Sequence, residues 1–288
     1  LIKHANNAYW DHQNNDYKGY AIIIAPTSEE VEIESCIFDR CGTWGGKSAI
    51  YDDGKRTIIN DCQFLNDDYG DLRVGAVYIN SIGTHIITNC FAQNNWGDYG
   101  TFQYKPVTET GSPRVFTFMN NTIDHVFGDD RMALNFNIRK ADDLSIENVT
   151  IKNTNHKKCI VGIDLDADVT EFTFDKFQFI NNYVEDNYIG GSGIWVKNDN
   201  KDASIIFNEC IFDSNHAGFN NNEDYLSGYG GAWSVGMNTF IKHVHVTMTE
   251  CQFLNNQADK YGGALYISTT HPVLIDNCHF IGNHANNN

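Results

Sequence analysis

One phrase recurs along this chain. With Φ for an apolar residue it reads Φ-x-Φ-x-x-C-x-F-x-N-N, followed later by G-G-A-Φ-Y-Φ. The clearest copy is Val246, Met248, Cys251, Phe253, Asn255, Asn256, then Gly262, Gly263, Ala264, Leu265, Tyr266, Ile267. Aligned on the cysteine, the copies fall at Cys36, Cys62, Cys90, Asn121, Val149, Phe177, Cys210, Cys251 and Cys278, at intervals of 26, 28, 31, 28, 28, 33, 41 and 27 residues. Two residues later stand Phe38, Phe64, Ala92, Ile123, Ile151, Phe179, Phe212, Phe253 and Phe280. Three residues before the cysteine stand Ile33, Ile59, Ile87, Phe118, Ile146, Phe174, Phe207, Met248 and Ile275. Apolar side chains held at one phase over so many copies mean a stack of equivalent units, each burying its apolar face on its neighbours.

The spacing gives the shape of one unit. In Φ-x-Φ alternate residues face one way, as on a strand. The step of three to the cysteine breaks that alternation and places a corner there. C-x-F resumes it on a second strand, and G-G-A-Φ-Y-Φ supplies a third after a glycine turn. Few prolines (4) with many glycines (24) agree with short strands joined by tight turns. The expected fold is all-β: a single-stranded right-handed parallel β-helix, a solenoid of about nine coils with three short strands each. It is read as one continuous segment over 1–288. Residues 213–229 form the longest insertion, and 104–114, with Pro106 and Pro113, form a second long turn. Both ends fall at nearly the same phase of the repeat and lack a polar cap, so the segment is expected to be part of a longer repetitive chain.

The paired G-G-A-Φ and F-x-N-N motifs resemble the repeat of the polymorphic outer-membrane proteins of chlamydiae and of related, very large surface proteins of some protists. The pair is complete at Gly230, Gly231, Ala232 and at Gly262, Gly263, Ala264. It is partial at Val74, Gly75, Ala76 and at Gly190, Gly191, Gly193. The resemblance implies a secreted or surface-displayed adhesive passenger, located outside the cell or at its surface, with no catalytic residues to carry over.

A formal charge of −17 opposes nucleic acid and anionic lipid as partners. No apolar run reaches the ~20 residues of a membrane-spanning helix, so this segment is not expected to insert. The expected partners are neighbouring coils or subunits of the same assembly, and glycans. Six cysteines (Cys36, Cys62, Cys90, Cys210, Cys251, Cys278) share one inward phase; Cys41 and Cys159 do not. Without a C-x-x-C pair they do not read as a zinc site. Parallel Cβ vectors on stacked coils are poor disulfide geometry. A buried thiol ladder is expected, in line with the phenylalanine ladder of Phe38, Phe64, Phe179, Phe212, Phe253 and Phe280.

Several groups stand as candidate sites. On the third strand the outward phase carries Tyr51, Tyr78, Trp195 and Tyr266, an interrupted aromatic stripe suited to sugar rings or a neighbouring molecule. Asp164, Asp166 and Asp168 alternate, and calcium is the one cofactor they would suit; Val169 stands where an EF-hand needs glycine. Asp67, Asp68 and Asp71 form another acidic group. Asn120 and Asn148 begin N-x-T sequons, at which a eukaryotic secretory route would add glycans. His243 and His245 alternate on a strand and point outward together.

Gly128, Asp129, Asp130 is similar to one polygalacturonase motif. Its companion motifs are absent, with Ile138, Arg139, Lys140 only a scrambled form of one. No Ser-His-Asp spacing is visible. The sequence therefore favours a non-enzymatic extracellular structural and adhesive module. A β-helix polysaccharide lyase or glycoside hydrolase is the first alternative, and a calcium-dependent glycan-binding module the second.

Overall fold

A computed structural model describes the chain except residues 1, 4–8, 12–15, 19, 42–47, 67–74, 96–99, 107–113, 129–131, 140–141, 157–159, 167, 186–190, 199–202, 220–227, 236–243 and 287–288. The described residues are all-β and form a right-handed parallel β-helix with three strands per coil. They divide into two compact units: Leu1–Asn137 with Ala141–Ser145, and Ile138–Lys140 with Ile146–Asn288.

In the first unit, the Φ-x-Φ strands Val31–Glu34, Arg56–Asn60, Thr84–Thr88 and Arg114–Met119 stack in parallel. The C-x-F strands Ile37–Asp39, Gln63–Leu65, Phe91–Gln93 and Thr122–Asp124 form the second face, joined by Ile2–Lys3. Ile22–Ile24, Ile50–Asp52, Val77–Ile79, Phe102–Tyr104 and Leu134–Ile138 form the third. Tyr9–Asp11 and Asp16–Lys18 add an antiparallel pair.

In the second unit, the first face holds Glu171–Asp175, Ser204–Asn208, His245–Thr249 and Val273–Asp276. The second holds Thr150–Lys152, Gln178–Ile180, Ile211–Asp213, Gln252–Leu254 and His279–Ile281. The third holds Val161–Leu165 and Ile194–Asn198, while Trp233–Val235 and Leu265–Ile267 pair as a sheet of their own. With five third-face strands in the first unit and two in the second, the helix has about seven turns, not the nine expected from copies of the cysteine phase. The third ladder has fewer rungs than the second face because Trp233–Val235 and Leu265–Ile267 pair separately.

A further ladder was not expected from the sequence. The two-residue strands Asn155–His156, Tyr183–Val184, His216–Ala217, Gln257–Ala258 and His284–Ala285 stack in the second unit. Their second residue is buried in every rung but the last and, in three rungs, is alanine.

The corners explain the asparagines. Every non-glycine residue of positive φ among the described residues falls at one of two phases. One precedes the cysteine position, as at Asn89 (φ 57°) and Asn120 (φ 57°). The other is the first asparagine of F-x-N-N, as at Asn94 (φ 55°) and Asn181 (φ 52°). Asparagine is among the few residues that tolerate the left-handed region.

The second asparagine points inward and is buried at Asn95, Asn182, Asn215 and Asn256. Asn215 Nδ2 donates to Phe179 O (2.8 Å) and to Asn256 Oδ1 (3.0 Å). Its own Oδ1 accepts from the Asn182 amide N (3.2 Å) and Nδ2 (3.0 Å). Asn256 repeats the pattern with Asn283 and Phe212 O. Cys41 stands at the same phase in the first unit and is also buried.

The glycine pair has two separate reasons. The first glycine takes positive φ at Gly230 (66°) and Gly262 (68°). The second is forced by proximity: a Cβ on Gly231 would lie 2.0 Å from Gly263 O and 2.7 Å from the Gln257 backbone. The G-G turn of one coil thus lies against the short fourth strand of the next, where no side chain fits.

Stacked phenylalanines fill the interior. Phe38 and Phe64 rings are 5.0 Å apart at 9°, and in the second unit Phe212 and Phe253 are 5.0 Å apart at 3°. These separations match the ~4.8 Å strand spacing.

Candidate functional site

Of the described cysteines, Cys41, Cys62, Cys90, Cys210 and Cys251 are buried and Cys36 and Cys278 are half-buried. Cys36, Cys41, Cys62, Cys90, Cys210, Cys251 and Cys278 are unbridged; Cys159 lies outside the described residues. Cys210 Sγ donates to Phe174 O (3.2 Å) one coil below, and Cys251 Sγ to Phe207 O (3.5 Å). Asn121, which replaces cysteine in its coil, donates its Nδ2 to Ile87 O in the same manner (2.9 Å). Burial pushes the Cys210 thiol well above its ordinary value. Cys210 is thus a neutral donor within the core, whereas the hydrogen bond with the Cys90 thiol holds the Cys62 thiol down at about 7.

The residues of the aromatic stripe are divided between the two units. In the first unit Tyr51 and Tyr78 meet edge to face with ring centres 5.4 Å apart, and Tyr20 joins Tyr51 at 5.1 Å. Asn80 binds them together: its Nδ2 donates to the Tyr51 hydroxyl (3.0 Å) and to Asp53 Oδ1 (3.0 Å), and its Oδ1 accepts from the Tyr78 hydroxyl (3.1 Å). Burial, and then the Asp53 carboxylate, raise the Tyr51 and Tyr78 phenols. The polar atoms of this group therefore serve one another. In the second unit Trp195 sits on the third face opposite Gly162, while Tyr266 pairs with Ser234 on the separate sheet.

Tyr266 instead belongs to a cluster that the sequence did not single out. Tyr229 lies 4.8 Å from Tyr266 and 5.5 Å from Tyr261, ring centre to ring centre. Lys260 Nζ stands 3.6 Å over the Phe219 ring and 5.7 Å from that of Tyr229. Next to it Asp259 Oδ1 meets His216 Nε2 (2.9 Å) and accepts from Asn286 Nδ2 (3.3 Å), and Oδ2 accepts the Phe219 N–H (3.1 Å). The His216 ring meets Tyr183 edge-on at 5.1 Å. Gly228, at φ 80°, is packed against Phe219, Asp259 and Lys260. Burial raises the Tyr229 phenol and lowers the Lys260 ammonium. The signal in the sequence was the position: Phe219 and Tyr229 bracket the long insertion, and Lys260 with Tyr261 lead into the next glycine pair.

A Ser-His-Asp constellation is also present, although no spacing revealed it. His85 Nδ1 is 2.8 Å from Asp52 Oδ2, and its Nε2 is 3.2 Å from Ser81 Oγ. His85 and Asp52 are 1% and 0% exposed. Asp52 Oδ1 also accepts from the Gly54 N–H and Thr57 Oγ1, both at 2.9 Å. Ser81 Oγ donates to Gly54 O (2.9 Å), so its proton is held by the backbone. The members come from successive coils, 33 residues apart for Asp52 and His85, which is why linear spacing hid them. The group closes a buried corner and is not arranged for attack on a substrate.

The three carboxylates proposed for calcium go separate ways. Asp164 Oδ1 pairs with Lys197 Nζ (3.2 Å) and Asp166 Oδ2 with Arg139 Nε (3.5 Å), while Asp168 is exposed. No group of three or more His, Cys, Asp or Glu able to hold a metal ion is gathered among the described residues. Asn120 and Asn148 are both exposed at left-handed corners. His245 stacks edge-on with His271 at 5.0 Å. Asp67, Asp68, Asp71, Asp129, Asp130 and His243 lie outside the described residues. No helix is long and apolar enough to cross a membrane among the described residues.

The family described as right handed beta helix region matches residues 20–240. No curated protein and no solved structure matches the chain.

Proposed function

We infer, for a chain that belongs to the right-handed β-helix family, a non-enzymatic role as an extracellular structural and adhesive repeat module within a surface protein, coat or filament. The observation that carries this reading is the asparagine ladder from Asn182 through Asn215 and Asn256 to Asn283. Its amides are spent joining coil to coil. A stiff scaffold needs such a core; an active site needs polar groups left over for a substrate. The buried Ser81, His85 and Asp52 are spent in the same way. The G-G-A-Φ and F-x-N-N pairing, similar to that of surface-displayed repeat proteins, supports the same location.

The test is to incubate the protein with a panel of neutral and acidic polysaccharides, with and without calcium, and to assay new reducing ends and unsaturated products. Immunogold labelling of unpermeabilised source cells accompanies it. Surface labelling without depolymerisation is the expected result. Cleavage of any polysaccharide, or label confined to the cell interior, would overturn the reading.

A further inference from the structure

We propose that the stacked cysteines bind copper(I), one ion between the sulfurs of Cys62 and Cys90 in the first unit and one between those of Cys210 and Cys251 in the second. The proposal stands apart from the structural and adhesive reading, which does not depend on a metal.

The strand register brings the sulfurs together. Cys62 and Cys90 lead into strands in which Gln63 is paired with Phe91, and Cys210 and Cys251 into strands in which Ile211 is paired with Gln252. All four are buried and unbridged. Within each pair the thiols hydrogen-bond to each other, so the sulfurs face one another across the coil step. The later sulfur also takes a backbone hydrogen bond from the earlier cysteine, Cys90 from Cys62 and Cys251 from Cys210. A donor aimed at sulfur steadies it once its proton has gone. Asn121, Val149 and Phe177 hold the same phase in the copies between, which divides the thiols into two columns.

The ligand set selects the ion. At neither pair does another His, Cys, Asp or Glu complete a group of three among the described residues. Zinc asks for a full tetrahedron of ligands and calcium for a larger shell of oxygens. A soft monovalent ion is satisfied by two thiolates in line, and thiolate is the ligand that favours copper(I). The span agrees. Metal–thiolate bonds of ~2.3 Å laid end to end reach ~4.6 Å, against a step of ~4.8 Å between stacked strands. The ion therefore bridges two coils by rotation of the cysteine side chains, with the ladder in place. On binding, both S–H bonds of a pair break, both Cu–S bonds form, and both protons pass to solvent with no change of oxidation state. The bridge keeps a single negative charge, which the backbone donor at the later sulfur meets.

The experiment titrates the reduced full chain under argon with tetrakis(acetonitrile)copper(I) in competition with the chelator bicinchoninate. Copper X-ray absorption then reads the ligands of the bound ions, and circular dichroism reads the fold. At least two ions should be held against the chelator, each with sulfur neighbours alone, and the circular dichroism should not change on loading. Cys62 stands between Cys36 and Cys90 in its column, and Cys251 between Cys210 and Cys278. Cys62→Ser and Cys251→Ser therefore leave no adjacent pair in their columns, while serine keeps a donor for the backbone carbonyl. Each is expected to lose the ion of its own unit, with affinity there at least about a hundredfold weaker, the upper end of what loss of a merely supporting group costs. Cys41→Ser, at a thiol outside the columns, should bind copper as the wild type does. Failure to hold copper against the chelator, nitrogen or oxygen in its shell, loss of the β-sheet spectrum on loading, or undiminished binding in Cys62→Ser and Cys251→Ser would each overturn the site.

Discussion

Replacing Asn215 by alanine should remove about 4–6 kcal/mol of stability. The figure follows from what the side chain does. Its Oδ1 is the acceptor for the Asn182 amide N–H, at 3.2 Å within the core. Stranding a buried donor costs about 1–3 kcal/mol, and each further hydrogen bond lost costs about 1. Three such bonds go as well, to Asn182 Nδ2, to Phe179 O and to Asn256 Oδ1. The control is Asn181→Gly, one residue away. Asn181 is exposed at φ 52°, where glycine is at ease, so the change should stay within about 0.5 kcal/mol. Urea unfolding with linear extrapolation compares the two, and hydrogen exchange follows the Asn182 amide, which should lose protection in Asn215→Ala alone. If the two variants are equally stable, or the Asn182 amide stays protected, the inner asparagines are passengers and the account of the ladder is wrong.

Other substitutions reach different parts of the frame. Gly231→Ala would drive a Cβ to 2.0 Å from Gly263 O, a backbone atom, and should cost more than about 3 kcal/mol in the same urea assay; a near-neutral result would refute the close-approach explanation of the second glycine. Asp52→Ala leaves His85 and Thr57 without their buried partner, and a loss of about 3–5 kcal/mol is expected. Ser81 should resist a fluorophosphonate probe in the native protein; labelling there by mass spectrometry would reopen a hydrolytic role. Because burial raises the Cys210 thiol above its ordinary 9.0, its contribution is complete below that pH and is lost as pH rises toward the folded value. Stability should therefore decline above pH 9 less steeply in Cys210→Ser than in wild type, as read by urea midpoints across pH.

Most of the architecture could be read before any coordinates. The cysteine and phenylalanine phases located two strands and the corner between them, because an inward ladder leaves a mark at every coil. The fourth ladder left almost none. A strand of two residues, such as His216–Ala217, is too short to show alternation, and only the buried small residue after N-N-x hints at it. The inner asparagine was hidden by its neighbour: Asn181 and Asn182 look alike in sequence, yet one satisfies a corner and the other the core.

Side-chain partnerships are harder to read from the sequence than the strands, for a physical reason. A solenoid brings together residues one coil apart, so partners sit about 30 positions away, as Asp52 and His85 do. Outward residues are also free to vary from coil to coil. Tyr51 and Tyr266 share a phase in the repeat but not a neighbourhood.

The inner asparagines also give the stack an arrow. At each link the amide nitrogens belong to the earlier coil and the oxygen to the later one: Asn182 to Asn215, Asn215 to Asn256, Asn256 to Asn283. A coil inserted upside down would set donor against donor and acceptor against acceptor. Growth by duplication of a coil is thus tolerated only head to tail, and each accepted copy lengthens the chain of aligned amides on which the next depends.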